Sequence, residues 1–173
     1  AYLRSLLENE PTVDIDGSYL EMPCDRFNTL YFLQHCHRHF LREGITLRYI
    51  SDWAMILKSA DCFDSEFWNE CDKNDLKTFA ESMTRLAYVV CGVKATWLNG
   101  DVMLQIQDRM LLDDCYCIAD NAIKYGNSIK AHIQMVKNML GMRWKYKWFS
   151  QRSMEVELIS SVWSNWVEKE PKI

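Results

Sequence analysis

Two apolar helical segments that meet at a single glycine constrain the fold of this chain most strongly. Residues 27–57 read FNTLYFLQHCHRHFLREGITLRYISDWAMIL. Apolar residues recur at helical spacing before Gly44, and a second helical pattern runs from Ile45 to about Ser59. A glycine in this place supplies the left-handed backbone position that commonly closes a helix. We therefore predict two consecutive helices that meet at this glycine.

Helical spacing continues through most of the remaining chain. With only 6 glycines and 3 prolines in 173 residues, the composition favours helices over many short strands. We predict an all-α fold of about seven or eight helices in a single multi-helix domain. Residues 12–22 are the exception, because alternating apolar residues beside a Gly-Ser turn predict a short extended arm. We expect residues 1–22 to be an N-terminal helix and connector left from an upstream domain, and residues 23–173 to be the helical domain.

Polar residues and glycines predict where several later helices begin and end. Asp64 is expected to cap a short helix, and Asp75 is expected to cap the next one, which Gly92 should end. Asp101 is expected to cap the following helix, which should begin at Val102.

Charge and cysteine content exclude several classes of protein. A net charge of -4 argues against a general nucleic-acid binder. The 7 cysteines are odd in number and form no CxxC pair, which fits reduced thiols in a cytoplasmic protein. No apolar run is long enough to span a bilayer, so no membrane contact is expected. The basic, aromatic stretch from Arg143 to Trp148 could touch nucleic acid or form an amphipathic surface segment.

Two histidines share one face of the first predicted helix. His35 and His39 stand one helical turn apart, whereas His37 points the opposite way. A pair at this spacing can bind zinc, but a third ligand would be needed, and the general-base glutamate of an HExxH motif is missing. The alternative is a pair of core histidines that make ordinary hydrogen bonds.

An arginine and an aspartate share one face of the second predicted helix. Arg48 and Asp52 are also one turn apart and lie among apolar residues. In one interpretation they form a buried clamp in which His35 or His39 bonds Asp52, and Asp52→Ala would then lower the free energy of unfolding by about 1–3 kcal/mol. In the other, they line a cleft for a phosphate or carboxylate.

The sequence DIDGS, from Asp14 to Ser18, is a weaker candidate for metal chemistry. Paired carboxylates hold the two metal ions of nucleotidyl transfer, but there a Gly-Ser turn precedes the acidic pair. Here Gly17-Ser18 follows the acids, and the next acid, Asp25, has Phe27 where its partner should stand. We therefore expect a solvated turn.

The helical pair at Gly44 resembles a known family. His35, His39-Phe40, Gly44-Ile45, Leu47-Arg48 and Asp52-Trp53 are similar to the "H-x-x-x-H-F" and "G-[IL]-x-L-R-x-x-x-D-W" runs of the uncharacterised nucleotidyltransferase family, which is related to polymerase-beta-type enzymes. The resemblance covers residues 27–57 well and extends more weakly upstream through Pro23 and downstream toward Gly92.

The resemblance implies a bacterial nucleotidyltransferase-like protein with an N-terminal αβ catalytic core followed by helices. The full-length protein would use Mg²⁺ and a nucleoside triphosphate, with a nucleotide or sugar-type acceptor. This chain would be the C-terminal helical portion, without catalytic residues of its own, and it would support or close over the site in an upstream catalytic domain.

The resemblance carries over four positions, His35, His39, Arg48 and Asp52, as candidate substrate-binding residues. Two other functions stay open. One is a structural or protein-interaction helical domain, and the other is a metal-binding helical protein that uses His35 and His39.

Overall fold

The structure of the chain is a computed structural model that describes residues 2–6, 12–94, 102–117, 140–151 and 153–156. The described residues are mainly helical, which confirms the predicted all-α class. The elements are α1 (Tyr2–Leu6), β1 (Thr12–Ile15), β2 (Ser18–Glu21), α2 (Asp25–Arg42), α3 (Leu47–Ser59), α4 (Ser65–Lys73), α5 (Lys77–Cys91), α6 (Ile106–Cys117) and α7 (Arg143–Phe149).

The chain divides into two compact units. The first is Ala1–Ile123 and the second is Lys124–Ile173. Elements α1 to α6 and the two strands belong to the first unit, and α7 belongs to the second. The division expected between residues 22 and 23 stays a prediction.

The predicted extended arm is a two-stranded antiparallel hairpin. Strand β1 pairs with β2 so that Ile15 lies opposite Ser18, which leaves Asp16 and Gly17 as the two-residue turn. Both turn residues have positive φ, 52° and 82°, as a tight hairpin turn of the I′ type requires. The Asp14 carboxylate accepts a hydrogen bond from the Gly17 N–H at 2.8 Å, which stabilises the turn.

Glycines end two of the helices, as predicted. Gly44 has a φ of 88°, and its N–H donates to the carbonyl of His39 at 2.9 Å just after α2. Gly92 caps α5 with a φ of 68° and ψ of 21°, and its N–H donates to the carbonyl of Tyr88. These left-handed residues let the chain leave each helix without the steric cost that a larger residue would meet.

The predictions for helix starts had mixed outcomes. Asp64 is the N-cap of α4, and its carboxylate accepts a hydrogen bond from the Phe67 N–H at 2.9 Å. The cap predicted at Asp75 is wrong, because Leu76 is the N-cap of α5 and Asp75 lies just outside with a φ of 61°. Helix α6 begins at Ile106 rather than Val102. Asp101 lies outside the described residues.

Trp53 is the centre of packing in the first unit. Its indole is fully buried, lies parallel to the Phe32 ring of α2 at 6.1 Å and meets the Phe63 ring edge-on at 5.8 Å. The indole N–H donates to the Thr84 hydroxyl of α5 at 3.0 Å. The Thr84 hydroxyl in turn donates to the Ala80 carbonyl at 2.8 Å, so the buried polar atoms are satisfied. One side chain thus joins α2, α3 and α5.

A buried ion pair joins α5 to α6. The Arg85 guanidinium holds the Asp108 carboxylate with two hydrogen bonds, Nε to Oδ2 at 2.7 Å and Nη2 to Oδ1 at 3.0 Å. Asp108 is fully buried and also accepts the backbone N–H of Gln105 at 2.8 Å. Arg85 donates as well to the Ser82 hydroxyl at 3.2 Å. Because both charges are removed from water, each depends on the other.

A second ion-pair network fastens the start of the chain to the helices. Arg26, at the start of α2, contacts the carboxylates of Asp64 at 2.5 Å and Glu66 at 2.9 Å. The Tyr2 hydroxyl of α1 donates to Glu66 at 3.1 Å. The first helix is therefore held against the N-terminal ends of α2 and α4.

The described cysteine side chains are thiols, and none forms a disulfide. Burial raises the pKa of Cys36 and of Cys71 to about 12 each. None of the helices in the described part of the chain has the length and apolar character that crossing a lipid bilayer requires.

We expect Asp108→Ala to lower the free energy of unfolding by about 3–5 kcal/mol, because it removes the hydrogen-bonded carboxylate of the buried Arg85 guanidinium and leaves only the half-exposed Glu81 at 3.8 Å. Urea denaturation measures this change. Asp113→Ala, an exposed aspartate on the same helix, is the matched control and should change stability by less than about 0.5 kcal/mol. Equal effects of the two substitutions would contradict a buried pair at Asp108.

We expect iodoacetamide at pH 8 to label Cys24 and Cys91, which are partly exposed, well before Cys36 and Cys71. With a pKa of about 12, only roughly one Cys36 side chain in ten thousand is thiolate at that pH, and burial also blocks access. Peptide mass spectrometry with and without urea measures the difference. Similar labelling rates in the native protein would contradict the buried placement.

Candidate functional site

The four predicted site residues lie on neighbouring stretches of α2 and α3. His35 and His39 occupy one face of α2, and their rings meet edge-on with centroids 4.5 Å apart. Arg48 and Asp52 occupy one face of α3, which begins just after the Gly44 turn. The turn therefore brings the second half of α2 and the first half of α3 together.

A continuous row of aromatic rings runs along this face of α2. Phe27 stacks on Tyr31 at 5.9 Å, Tyr31 on His35 at 6.3 Å, and His35 contacts His39. The row continues onto α3, because the His39 ring lies 6.4 Å from the Tyr49 ring at a small interplanar angle. Four of the five rings are spaced by one helical turn, which explains why the sequence places them in line. We call these five residues the ring row.

The ring row is accessible from solvent. The Tyr31 side chain is exposed, at 53% of its possible surface, and the His39 side chain is 37% exposed. Partly exposed rings can contact a planar ligand through the edges that the stacking leaves accessible.

The predicted buried clamp is wrong. The Arg48 side chain is 86% exposed and its Nε lies 3.7 Å from the Asp52 carboxylate, which is itself 48% exposed. His39 faces Glu43 instead, with Nδ1 3.6 Å from the carboxylate. No hydrogen bond joins either histidine to Asp52 within the described part of the chain. Apolar neighbours in sequence suggested burial, but the buried side of α3 is the side of Ile50, Trp53 and Ala54.

The opposite face of α2 is buried. His37 is buried and its ring lies 5.1 Å from Phe79 of α5. Cys36 is fully buried as well, and the negative charge of Asp52 adds to the rise in its pKa that burial causes. The predicted opposition of His37 to His35 and His39 is confirmed. Helix α2 therefore has one face for packing and one face available to a ligand.

No metal centre is formed by the described side chains. No group of three His, Cys, Asp or Glu residues among them is placed to hold a metal ion, so His35 and His39 have no third ligand there. Asp14 and Asp16 are exposed, Asp16 is a residue of the hairpin turn, and Asp14, in β1, accepts a hydrogen bond from the Gly17 N–H of that turn. This arrangement agrees with the expected solvated turn.

The basic, aromatic stretch of the second unit is only partly a surface. Within α7, Lys145, Tyr146 and Phe149 are buried, whereas Arg143 and Lys147 are exposed. The amphipathic interpretation therefore describes α7 better than a wholly exposed basic strip.

The Arg85–Asp108 pair was missed by sequence reasoning. The two residues are 23 positions apart on different helices, so no local spacing connects them. The available signal was a charged residue within the apolar face of each helix, and such residues are common on solvated faces too.

The comparisons with known proteins identify one family. The model of a family described as uncharacterised nucleotidyltransferase matches residues 1–92, which is more than half of the 173 residues. The match ends at Gly92, the residue that caps α5. The match does not confirm the expected C-terminal placement, which stays a prediction. No curated protein and no solved structure matches the chain.

We expect Asp52→Ala to change the free energy of unfolding by less than about 0.5 kcal/mol, because the Arg48–Asp52 pair is largely exposed and loosely spaced. Chemical denaturation measures the change, with Arg48→Ala as its partner variant. A loss of 1–3 kcal/mol in Asp52→Ala, about the value expected for a buried hydrogen bond, would contradict the exposed pair and support the buried clamp.

Proposed function

The chain belongs to the uncharacterised nucleotidyltransferase family, and we propose that it is the helical portion that supports and closes over the nucleotide or acceptor site. The observation that carries this proposal is the accessible ring row, whose Tyr49 directly follows the exposed Arg48 in α3. A helical element that closes over a nucleotide needs flat surfaces for the ring and a cation for the phosphates.

The proposed contacts follow from the geometry of α2 and α3. Tyr31 and His35 offer partly exposed ring edges that a base or a sugar could contact. Arg48 is exposed and held only loosely by Asp52, so its guanidinium is available for two parallel hydrogen bonds to a phosphate. The carboxylates of Asp52 and Glu43 lie 3.7 Å from Arg48 and 3.6 Å from His39, so both candidate ligand contacts have an acidic neighbour on the same helix or at its end.

The described residues do not fit the Mg²⁺ ions that nucleotidyl transfer requires. Asp14 bonds the backbone of its own turn and Asp16 is a turn residue, so neither is placed with a second carboxylate for a shared metal ion. We therefore propose that the catalytic carboxylates and their Mg²⁺ belong to a catalytic domain outside the described residues. In this division of labour the helices position the ligand and exclude water.

The accessible ring row also favours a second candidate function. Exposed tyrosine and histidine rings with an arginine nearby are typical of protein interfaces. The same face could dock against another protein domain and bind no nucleotide. The two functions differ in whether a free nucleoside triphosphate is bound.

We expect titration with ATP to shift the imidazole proton resonances of His35 and His39 in the NMR spectrum. The His37 resonance is an internal control, because its ring is buried against Phe79 on the other side of α2. Arg48→Gln should raise the dissociation constant for ATP in this titration by about two- to fivefold, since an exposed charged contact is worth up to about 1 kcal/mol.

The matched control for Arg48→Gln is Arg109→Gln, an exposed arginine on α6. It removes the same charge from the protein and should leave the titration unchanged. Unshifted His35 and His39 resonances at millimolar ATP would contradict nucleotide binding and leave the docking function. Equal losses of ATP affinity in Arg48→Gln and Arg109→Gln would show that the overall charge of the protein, and not a contact of Arg48, causes the effect.

A further inference from the structure

A cleft lies within the second unit, around α7. Its volume is about 550 Å³, and this is within the range of small-molecule sites. The lining combines two exposed cations, an indole, hydroxyl and amide groups, a buried methionine and one carboxylate, and its main members are Arg143, Trp144, Lys147, Ser153, Met154 and Glu155.

The cations of the cleft share one face of α7. Arg143 and Lys147 are four residues apart, so their side chains stand one helical turn from each other. Arg143 Nη2 contacts the Glu155 carboxylate at 3.0 Å, and both side chains are mostly exposed. An exposed pair of this kind is weak and opens readily to a competing anion.

The Glu155 carboxylate is the negatively charged partner of Arg143 in the cleft. It faces the Arg143 guanidinium across the cleft. The backbone N–H of Glu155 itself, the Ser153 hydroxyl and, more weakly, the charge of Arg143 lower the pKa of this carboxyl group, which is ionised at neutral pH. A guanidinium that pairs with a carboxylate suits the oxygens of a phosphate equally well.

We propose that this cleft binds a small phosphorylated ligand, with Arg143 and Lys147 holding the phosphate and Glu155 acting as the internal anion that the phosphate displaces. The Trp144 indole lines the same cleft and offers apolar surface to the remainder of the ligand. The site lies wholly in the second unit and is distinct from the ring row and Arg48.

The size and charge of the cleft favour a small ligand over a nucleic acid. Two exposed cations can neutralise one or two phosphates, whereas nucleic-acid binders usually contact several along a strand. The whole chain also carries a net charge of -4, which opposes a long polyanion.

Isothermal titration calorimetry with inorganic pyrophosphate tests the proposal. Arg143→Gln and Lys147→Gln should each weaken binding by about two- to fivefold, as expected for exposed charged contacts. Glu155→Gln should tighten it by a similar factor, because the competing carboxylate is removed while its size is kept. Arg109→Gln, an exposed arginine of the first unit, is the charge-matched control and should leave the affinity unchanged.

Opposite effects of Arg143→Gln and Glu155→Gln would support the site, because a general loss of folding cannot tighten binding. The proposal is overturned if the unaltered protein takes up no pyrophosphate, or if Glu155→Gln weakens binding. Tighter binding of a single-stranded oligonucleotide than of pyrophosphate would also overturn it, in favour of a nucleic-acid surface.

Discussion

The buried indole of Trp53 is the interaction on which the first unit depends. It stacks on Phe32, meets Phe63 edge-on and donates its N–H to Thr84, so that three helices are fixed by one side chain. A large ring that is fully buried and also hydrogen-bonded allows few alternative packings. The positions of α2 and α3, and of every residue on their outer faces, follow from this arrangement.

The packing around Trp53 separates structural groups from groups that are free to bind. The buried side holds Cys36, His37 and the Thr84 hydroxyl, whereas the outer side holds His35, His39 and Arg48. Arg85 and Asp108 are buried charged residues, and the two hydrogen bonds between them compensate for lost hydration. Because the exposed polar groups do not maintain the core, they are available for a ligand without a large cost in stability.

Short-range sequence patterns predicted much of this fold, whereas contacts between residues far apart in the sequence were not predicted. The helical spacing, the left-handed glycines at 44 and 92 and the hairpin arm depend on neighbouring residues, so the sequence shows them directly. The Arg85–Asp108 pair joins helices far apart in sequence. The exposure of Arg48 and Asp52 was mispredicted because apolar neighbours identify a helix that packs but not how far its buried stripe extends.

Native-state hydrogen exchange tests most directly whether Trp53 organises the first unit. Amides at the centres of α3 and α5, near Trp53 and Thr84, should exchange only through the global unfolding reaction and with the same free energy. Trp53→Phe keeps a ring but removes the donor and leaves a cavity, and it should lower both values together by about 1–3 kcal/mol. If α3 exchanged through a lower-energy opening while α5 stayed protected, the result would contradict the claim that Trp53 holds the two helices together.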